Sequence, residues 1–470
     1  MVNFKSVMRH SGYLFGSKLL SRVIFTVFSL YAAVRLGPGL FGTLAFTLAM
    51  VELINSVGDV GLTRYGTREL VRHWNDRAVI GGEIMALQVG TSVVFGLAAA
   101  AVILAVGPGG GKTSVLLIGV VSVVAWGAVS ATESLLVANE SFLASALFSL
   151  LGKVLFAAAG AAAISAGLAV EYVLLAFLGA VLVEAAVRVA WTSASIARPS
   201  FSFSLKDLAR MLRATAPFAV SALSSIAVLQ AGTIILGILD DDEAVGIFSV
   251  AFSLFLPFMW APVILARTMF PGLAGMYMKD RVAARMNSWQ WYRLMAMAGI
   301  PVAALVSILA EPAMAYLPES YSHSADILAV LIWALPLTLL SAVELNILQI
   351  TDREREGARI NLMAAVVTIA LDFILIPLIG PLGVALAILA GALLREAQIY
   401  FQVFRHFMKK HMYVLFLRPL AGGAVMLAVA FALRPHNPWA AAAAGAASYV
   451  VVMVVTGAVR PNEVRRLIRG

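Results

Sequence analysis

Fourteen long apolar runs, separated by short polar breaks, set the pattern of the chain. They fall at about 11–34, 41–63, 83–106, 115–138, 142–165, 170–191, 214–238, 244–270, 291–312, 325–349, 359–380, 383–403, 413–433 and 438–460. Each approaches or exceeds the roughly 20 residues a helix needs to cross a bilayer. The runs are continuously apolar, which predicts helices, whereas strands of a membrane barrel would alternate over segments of about 10 residues. Turn residues fill the breaks, as at Gly37-Pro38-Gly39 and Gly107-Pro108-Gly109. Lys18 and Arg22 interrupt the first run, which is wrong for the core of a cleaved signal peptide.

Composition agrees with a polytopic membrane protein. Of 470 residues, 61% are hydrophobic and 13% charged, about half the charge of a soluble domain. An ordinary soluble enzyme and a disordered chain are thereby excluded. Cysteine is absent, so neither a disulfide framework nor a cysteine metal site is available. Lys and Arg number 34 against 25 Asp and Glu. With the N-terminus in the cytoplasm and every run crossing once, 25 basic residues lie on the cytoplasmic face and 3 on the other. That asymmetry predicts fourteen spans with both termini in the cytoplasm of an inner-membrane protein. The surplus charge is then topological, and no nucleic-acid partner follows from it.

Length and repetition divide the chain. The longest cytoplasmic stretch separates six spans from the next six, predicting one lobe at 1–200, a linker at 201–213 and a second lobe at 214–411. Residues 412–470 would add a hairpin of two spans and a cytoplasmic tail. Within the linker, Ser204-Leu205-Lys206-Asp207 resembles a capping box, and Leu205, Leu208 and Leu212 form an apolar stripe suited to an interfacial helix. Sliding the chain by 204 residues aligns Phe41-Gly42 with Val245-Gly246 and Asp76-Arg77 with Asp280-Arg281. A shift of 212 aligns Glu184-Ala185 with Glu396-Ala397. These matches suggest a six-plus-six parallel repeat.

Charges inside the apolar runs are the candidate chemistry, because each costs about 2.5–3.5 kcal/mol at mid-membrane on insertion scales. Span 1 carries Lys18 and Arg22 on one face; span 2 carries Glu52, Asn55, Ser56 and Asp59 on one face. In a hairpin about Gly37, Arg22 lies level with Glu52 and Lys18 with Ser56. Two uses fit: a helix-locking ion pair, or the polar wall of a water-filled cavity. Deeper in the spans, Lys153 and Asp372 could line a pore or satisfy local structure. Glu184 and Arg188, four apart, read as a local pair. Glu133, Glu344 and Arg267 lie near the cytoplasmic end, where snorkelling is cheap. Pro257, Pro262, Pro301, Pro336 and Pro377 predict bends.

Other signals fail. Gly107–Thr113 looks like a phosphate loop, but Val106 stands where the Walker pattern needs its first glycine. All six histidines lie outside the spans, without zinc-ligand spacing. With no metal or organic cofactor indicated and no ATPase motif, a transporter rather than an enzyme is expected, coupled to H+ or Na+.

The segment Arg35-Leu36-Gly37-Pro38-Gly39-Leu40-Phe41-Gly42 resembles the turn between the first two helices of the polysaccharide biosynthesis and export family. Gly58-Asp59-Val60-Gly61-Leu62 with Arg68-Glu69 resembles the end of that family's second helix. The resemblance implies a multidrug/oligosaccharidyl-lipid/polysaccharide (MOP) exporter fold, with two six-helix lobes in a V of pseudo-two-fold arrangement. It implies a flippase for a polyprenyl-pyrophosphate-linked oligosaccharide, of the kind used in O-antigen assembly. Polysaccharide polymerase and ligase machinery and membrane lipids would be its partners. The cavity residues it implies are Lys18 and Arg22, with Asn55 and Ser56 beside them. Arg35 and Arg64 would form the rim, Lys153 and Arg267 lie on the rim or deeper, and Glu52, Asp59 and Asp372 would couple or gate. Two alternatives remain open: an ion-coupled multidrug exporter of the same fold, and a non-transporting scaffold of a polysaccharide-synthesis complex.

Overall fold

The computed structural model describes residues 4–107, 112–200, 211–215, 229–408, 413–434 and 437–458, with side chains from Leu20 onward apart from Met408 and 413–416. Among them the regular structure is helical, with no strand. In chain order the helices are α1 (Phe4–Asp59), α2 (Leu62–Arg72), α3 (Arg77–Val106), α4 (Lys112–Ala138), α5 (Phe142–Ser165) and α6 (Val170–Ser195). Then come α7 (Leu229–Leu239), α8 (Asp242–Phe255), α9 (Trp260–Lys279), α10 (Arg281–Met314), α11 (Ser324–Leu331) and α12 (Ala334–Ile350). The last are α13 (Glu354–Ile379), α14 (Pro381–Val403), α15 (Tyr413–Leu433) and α16 (Pro438–Val455).

Eleven helices among the described residues are long and apolar enough to cross a membrane, and the stretch Leu20–Arg72 covers the second predicted span and the first from Leu20 on. Two shorter apolar helices, α7 and Leu417–Leu433, occupy the seventh and thirteenth. Each predicted span thus contains a helix among the described residues, the seventh only from Leu229 on, and the chain is an all-α multi-pass membrane protein. The sequence-predicted interfacial helix falls, up to residue 210, outside the described residues.

Breaks follow local chemistry. Gly37 sits at φ 75° and ψ 169° and divides α1 into two arms, a backbone region open essentially to glycine. At the other end of the second arm, Val60 at φ 44° and Gly61 at φ 75° separate α1 from α2. The predicted bends at Pro257 and Pro336 are sharper than kinks. A four-residue turn at 256–259 divides span 8 into α8 and α9, and a two-residue turn at 332–333 divides span 10 into α11 and α12. Proline supplies no amide hydrogen for the interior ladder, so each run restarts around it.

The chain forms two compact units, Met1–Ser249 and Val250–Gly470. This division falls later in the chain than the linker at 201–213, because α7 and the start of α8 pack with the first unit. Gly237 on α7 lies against the Phe46 ring. Asp242 at the start of α8 pairs with Lys112 at 2.9 Å and accepts from Thr43 Oγ1 at 2.8 Å. Here the chain segments touch backbone to backbone: a Cβ on Gly42 would meet the Asp242 carbonyl, and one on Gly246 would meet that of Pro38. The 204-residue shift carries Gly42 onto Gly246 and Pro38 onto Asp242, so it exchanges the two contacts.

Elsewhere in this unit, Phe28 of α1, Phe156 of α5 and Phe177 of α6 pack tilted and edge-to-face, with centroids 4.7 and 5.1 Å apart. In the second unit the added hairpin, α15 and α16, packs on α10. Small residues Ala304, Ala430 and Ala442 and the larger Met426, Tyr449 and Met453 form that buried seam. Tyr449 Oη donates to the Met297 carbonyl at 3.0 Å, which fixes the last helix to α10. Close approach through small side chains is how membrane helices gain dispersion contact where lipid offers no hydrophobic drive.

Candidate functional site

In the first unit, both arms of α1 and helices α5 and α6 bring charges together, and α7 adds the amide of Gln230. Arg22 is half-buried on the first arm and Glu52 lies on the second. Lys153 of α5 interacts electrostatically with Glu52, Arg22 and Glu184. Aromatic faces flank its ammonium group: Nζ is 5.8 Å from the Phe25 centroid and 5.5 Å from that of Trp126. A desolvated ammonium gains about 2 kcal/mol from such a face, which helps hold Lys153 inside the helices. Glu52 Oε2 accepts from Gln230 Nε2 at 2.6 Å. Asn55 and Ser56 are half-buried on the same arm, one turn further along.

Glu184 belongs to a second network beside it. Arg188, only 1% exposed, donates from Nε to Glu184 Oε1 at 2.9 Å and from Nη1 to Glu133 Oε2 at 2.7 Å. Its Nη2 donates to Ser149 Oγ at 2.7 Å, and Ser145 Oγ donates to Glu133. One guanidinium thus ties α4, α5 and α6 together. Arg188 holds Glu133 and Glu184 directly, and Lys153 acts on Glu52 and Glu184 from α5.

The remaining predicted site residues are distributed differently. The Lys18 side chain lies outside the described residues. Asp59 serves the backbone: it accepts from the Thr63 amide at 3.1 Å, from Thr63 Oγ1 at 2.5 Å and from Gln88 Nε2, closing the joint between α1 and α2. Arg35 is exposed, its guanidinium 5.8 Å from the Tyr31 centroid, and lies about 20 Å along the first arm from Arg22 at 1.5 Å per residue. Arg64 is exposed on α2. Arg267 and Asp372 belong to the second unit, Arg267 exposed on α9. Asp372 is fully buried on α13, and neither carboxyl oxygen has a hydrogen-bond partner among the described residues.

The second unit also holds a carboxylate pair. Glu344 of α12 is fully enclosed, which corrects the expectation that it snorkels. Tyr292 Oη of α10 lies 2.6 Å from Glu344 Oε1 and 3.0 Å from Glu396 Oε1 of α14, and Ser341 Oγ donates to Glu396 Oε2 at 2.6 Å. Sequence reasoning missed this cluster because a tyrosine within an apolar run carries no charge to attract attention.

Residues 7–277 match the profile of the family described as polysaccharide biosynthesis protein. That is more than half of the chain. The protein belongs to the polysaccharide biosynthesis protein family. Solved structures show how this family member folds. A lipid II flippase MurJ in an inward closed conformation is 14% identical, with 94% of this chain and 98% of that chain covered, at TM-score 0.79. An inward-facing multidrug resistance MATE transporter of the MOP superfamily is 14% identical over 84% and 95%, at TM-score 0.66. The eukaryotic MATE transporter AtDTX14 is 15% identical over 88% and 98%, at 0.62. At such identities the likeness is one of fold: this member of the polysaccharide biosynthesis protein family has the fold of MOP-superfamily transporters. No curated protein matches the sequence.

Proposed function

We propose that the protein is a flippase that moves a polyprenyl-pyrophosphate-linked oligosaccharide from the inner to the outer leaflet by alternating access. The observation that carries this reading is Lys153 on α5, on which half-buried Arg22 and exposed Glu52 of the two α1 arms both act, in a chain with only 13% charged residues. A pyrophosphate crossing the membrane needs cationic partners, since each uncompensated charge there is expensive. Arg22 offers a planar fork to phosphate oxygens, and Lys153 offers a point charge. Lys18, one turn before Arg22, extends the same helix face. Asn55, Ser56 and Gln230 supply neutral donors and acceptors for sugar hydroxyls, while the polyprenyl tail stays in lipid. Glu52 neutralises the cations between cycles and is released when it takes up H+ or Na+. Asp372, buried without a partner, is the second candidate coupling carboxylate. In this reading both termini are cytoplasmic, the membrane is the inner one, and polymerase and ligase machinery receives the product.

The test is mass spectrometry of polyprenyl-linked lipids from cells with and without the protein. A pyrophosphate-linked glycan should accumulate on the inner leaflet without it and clear with wild type. Loss of one charge-assisted contact, worth about 1.5–3 kcal/mol, predicts that Arg22→Ala or Lys153→Ala slows clearance roughly 10–100-fold at normal protein levels. Full clearance by both variants would remove the central step. Unchanged lipids with heightened sensitivity to cationic drugs would favour a multidrug exporter, whose cargo two cations should repel.

A further inference from the structure

The carboxylate pairs of the two units occupy related places in the sequence. Glu133 and Glu344 are 211 residues apart, and Glu184 and Glu396 are 212 apart. In the first unit both carboxylates bond to the Arg188 guanidinium, and Glu184 also feels Lys153. In the second unit the corresponding cations are gone. The residue 212 positions after Arg188 is Tyr400, which stacks on Phe404 at 5.8 Å, and the residue 212 after Lys153 is Ala365. The phenol of Tyr292 stands between the acids instead.

Hydrogen counting then constrains the second cluster. Tyr292 has one hydroxyl hydrogen, yet Oη is within hydrogen-bond distance of a carboxyl oxygen on each side, 2.6 and 3.0 Å away. It can donate to only one of two ionised carboxylates. The other contact becomes a hydrogen bond only when that carboxyl carries a hydrogen of its own. Glu344 Oε2 is also enclosed with no hydrogen-bond partner among the described residues, a place that an ionised oxygen fills only at the full cost of desolvation. Arg395, beside Glu396 on α14, interacts electrostatically with both acids, but its Nε has no hydrogen-bond partner. One arginine against two carboxylates leaves one negative charge over.

The surrounding elements do not supply the missing charge. On α10, Arg285 lies over the Phe407 ring at 5.7 Å, and neither Arg285 nor Arg293 is among the charges that act on Glu344 or Glu396. On α13 the buried group is another acid, Asp372, which makes no hydrogen bond to the cluster. Asp326 on α11 and Arg267 and Lys279 on α9 are exposed.

We propose that Glu344, Tyr292 and Glu396 form a proton-binding site that holds one proton shared between the two carboxyl groups. Such pairs titrate together, as neighbouring acids that cannot both ionise. With Ser341 fixing Glu396 Oε2, the proton sits on Glu396 Oε1 or on Glu344 and passes between them through the phenol. Loading neutralises the site, and release leaves two carboxylates facing each other across α12 and α14. That two-state change is what ion coupling requires. That the proton drives transport rests on the reading above; its presence does not.

Infrared spectroscopy of the purified full-length protein in lipid nanodiscs tests the site without any transport assay. At neutral pH the spectrum should contain a carboxylic-acid C=O band that Glu396→Gln removes and Tyr292→Phe shifts. Glu184→Gln, at the guanidinium-bound counterpart, should leave the band unchanged, and Asp372→Asn separates any contribution from that acid. A band that survives both Glu344→Gln and Glu396→Gln overturns the proposal. So does its loss on adding sodium at fixed pH, since the occupant would then be a metal cation. If a glutamine variant fails to accumulate, Tyr292→Phe decides alone, because it removes one hydroxyl and leaves both acids: an unmoved band overturns the site.

Discussion

Arg188 shows how far a single residue can be read from its neighbours in sequence. Its pairing with Glu184 follows from the four-residue spacing on one helix. Its bonds to Glu133 and Ser149 come from helices that only tertiary packing brings near, and no spacing rule reports them. Removing one partner of a buried ion pair costs about 3–5 kcal/mol because the other charge stays enclosed. Arg188→Leu should therefore sharply reduce folded protein in a thermal-stability assay in detergent, while Arg188→Lys retains part of the loss. Lys153 behaves differently in this account, since its contacts are aromatic faces and longer-range charges. Lys153→Met should keep the protein folded and lower transport, so the two arginine and lysine positions separate structure from function. Asp59 continues the polar face of span 2, but its bonds to Thr63 and Gln88 are not legible there, because they depend on the joint at Val60-Gly61 and on α3.

At the scale of elements, the apolar runs were legible because a bilayer demands length, and length is read directly from sequence. Interruptions within a run were less so. Proline marks the site but does not say whether a helix bends or restarts, which is settled by the carbonyls around it: Met259 and Ala261 donate to Leu256 and Phe258, three residues back, instead of continuing the α pattern. Gly37 is the clearest case of backbone chemistry fixing an element. Gly37→Ala places a side chain in a region costing about 1–3 kcal/mol and should lower the melting temperature without altering any side-chain contact, since nothing lies within 4 Å of its added Cβ. Asp59→Ala should cost about 1 kcal/mol through loss of its bond to the Thr63 amide, measured in the same assay.

For the whole molecule, charge asymmetry gives a direction that packing does not. The absence of cysteine makes the expectation easy to check. With both termini in the cytoplasm, Leu168→Cys, in the exposed turn between α5 and α6, should react with a membrane-impermeant thiol reagent in intact cells. Arg355→Cys, exposed at the start of α13, should react only after permeabilisation. The reverse pattern would invert the topology. The family and the all-α fold were accessible from the Leu36–Gly42 turn and the span count. The carboxylate cluster of the second unit was not, because it depends on which oxygen lies beside which, and spacing along the chain does not report that.

The reciprocal contact of Gly42 and Gly246 has a consequence for how substitutions add. The shift that exchanges its two halves makes each glycine the counterpart of the other, as in a self-complementary interface. Each can be changed alone, so Gly42→Ala and Gly246→Ala measured singly and together should show less than the sum of the single losses in the double variant if the two halves of the contact act as one.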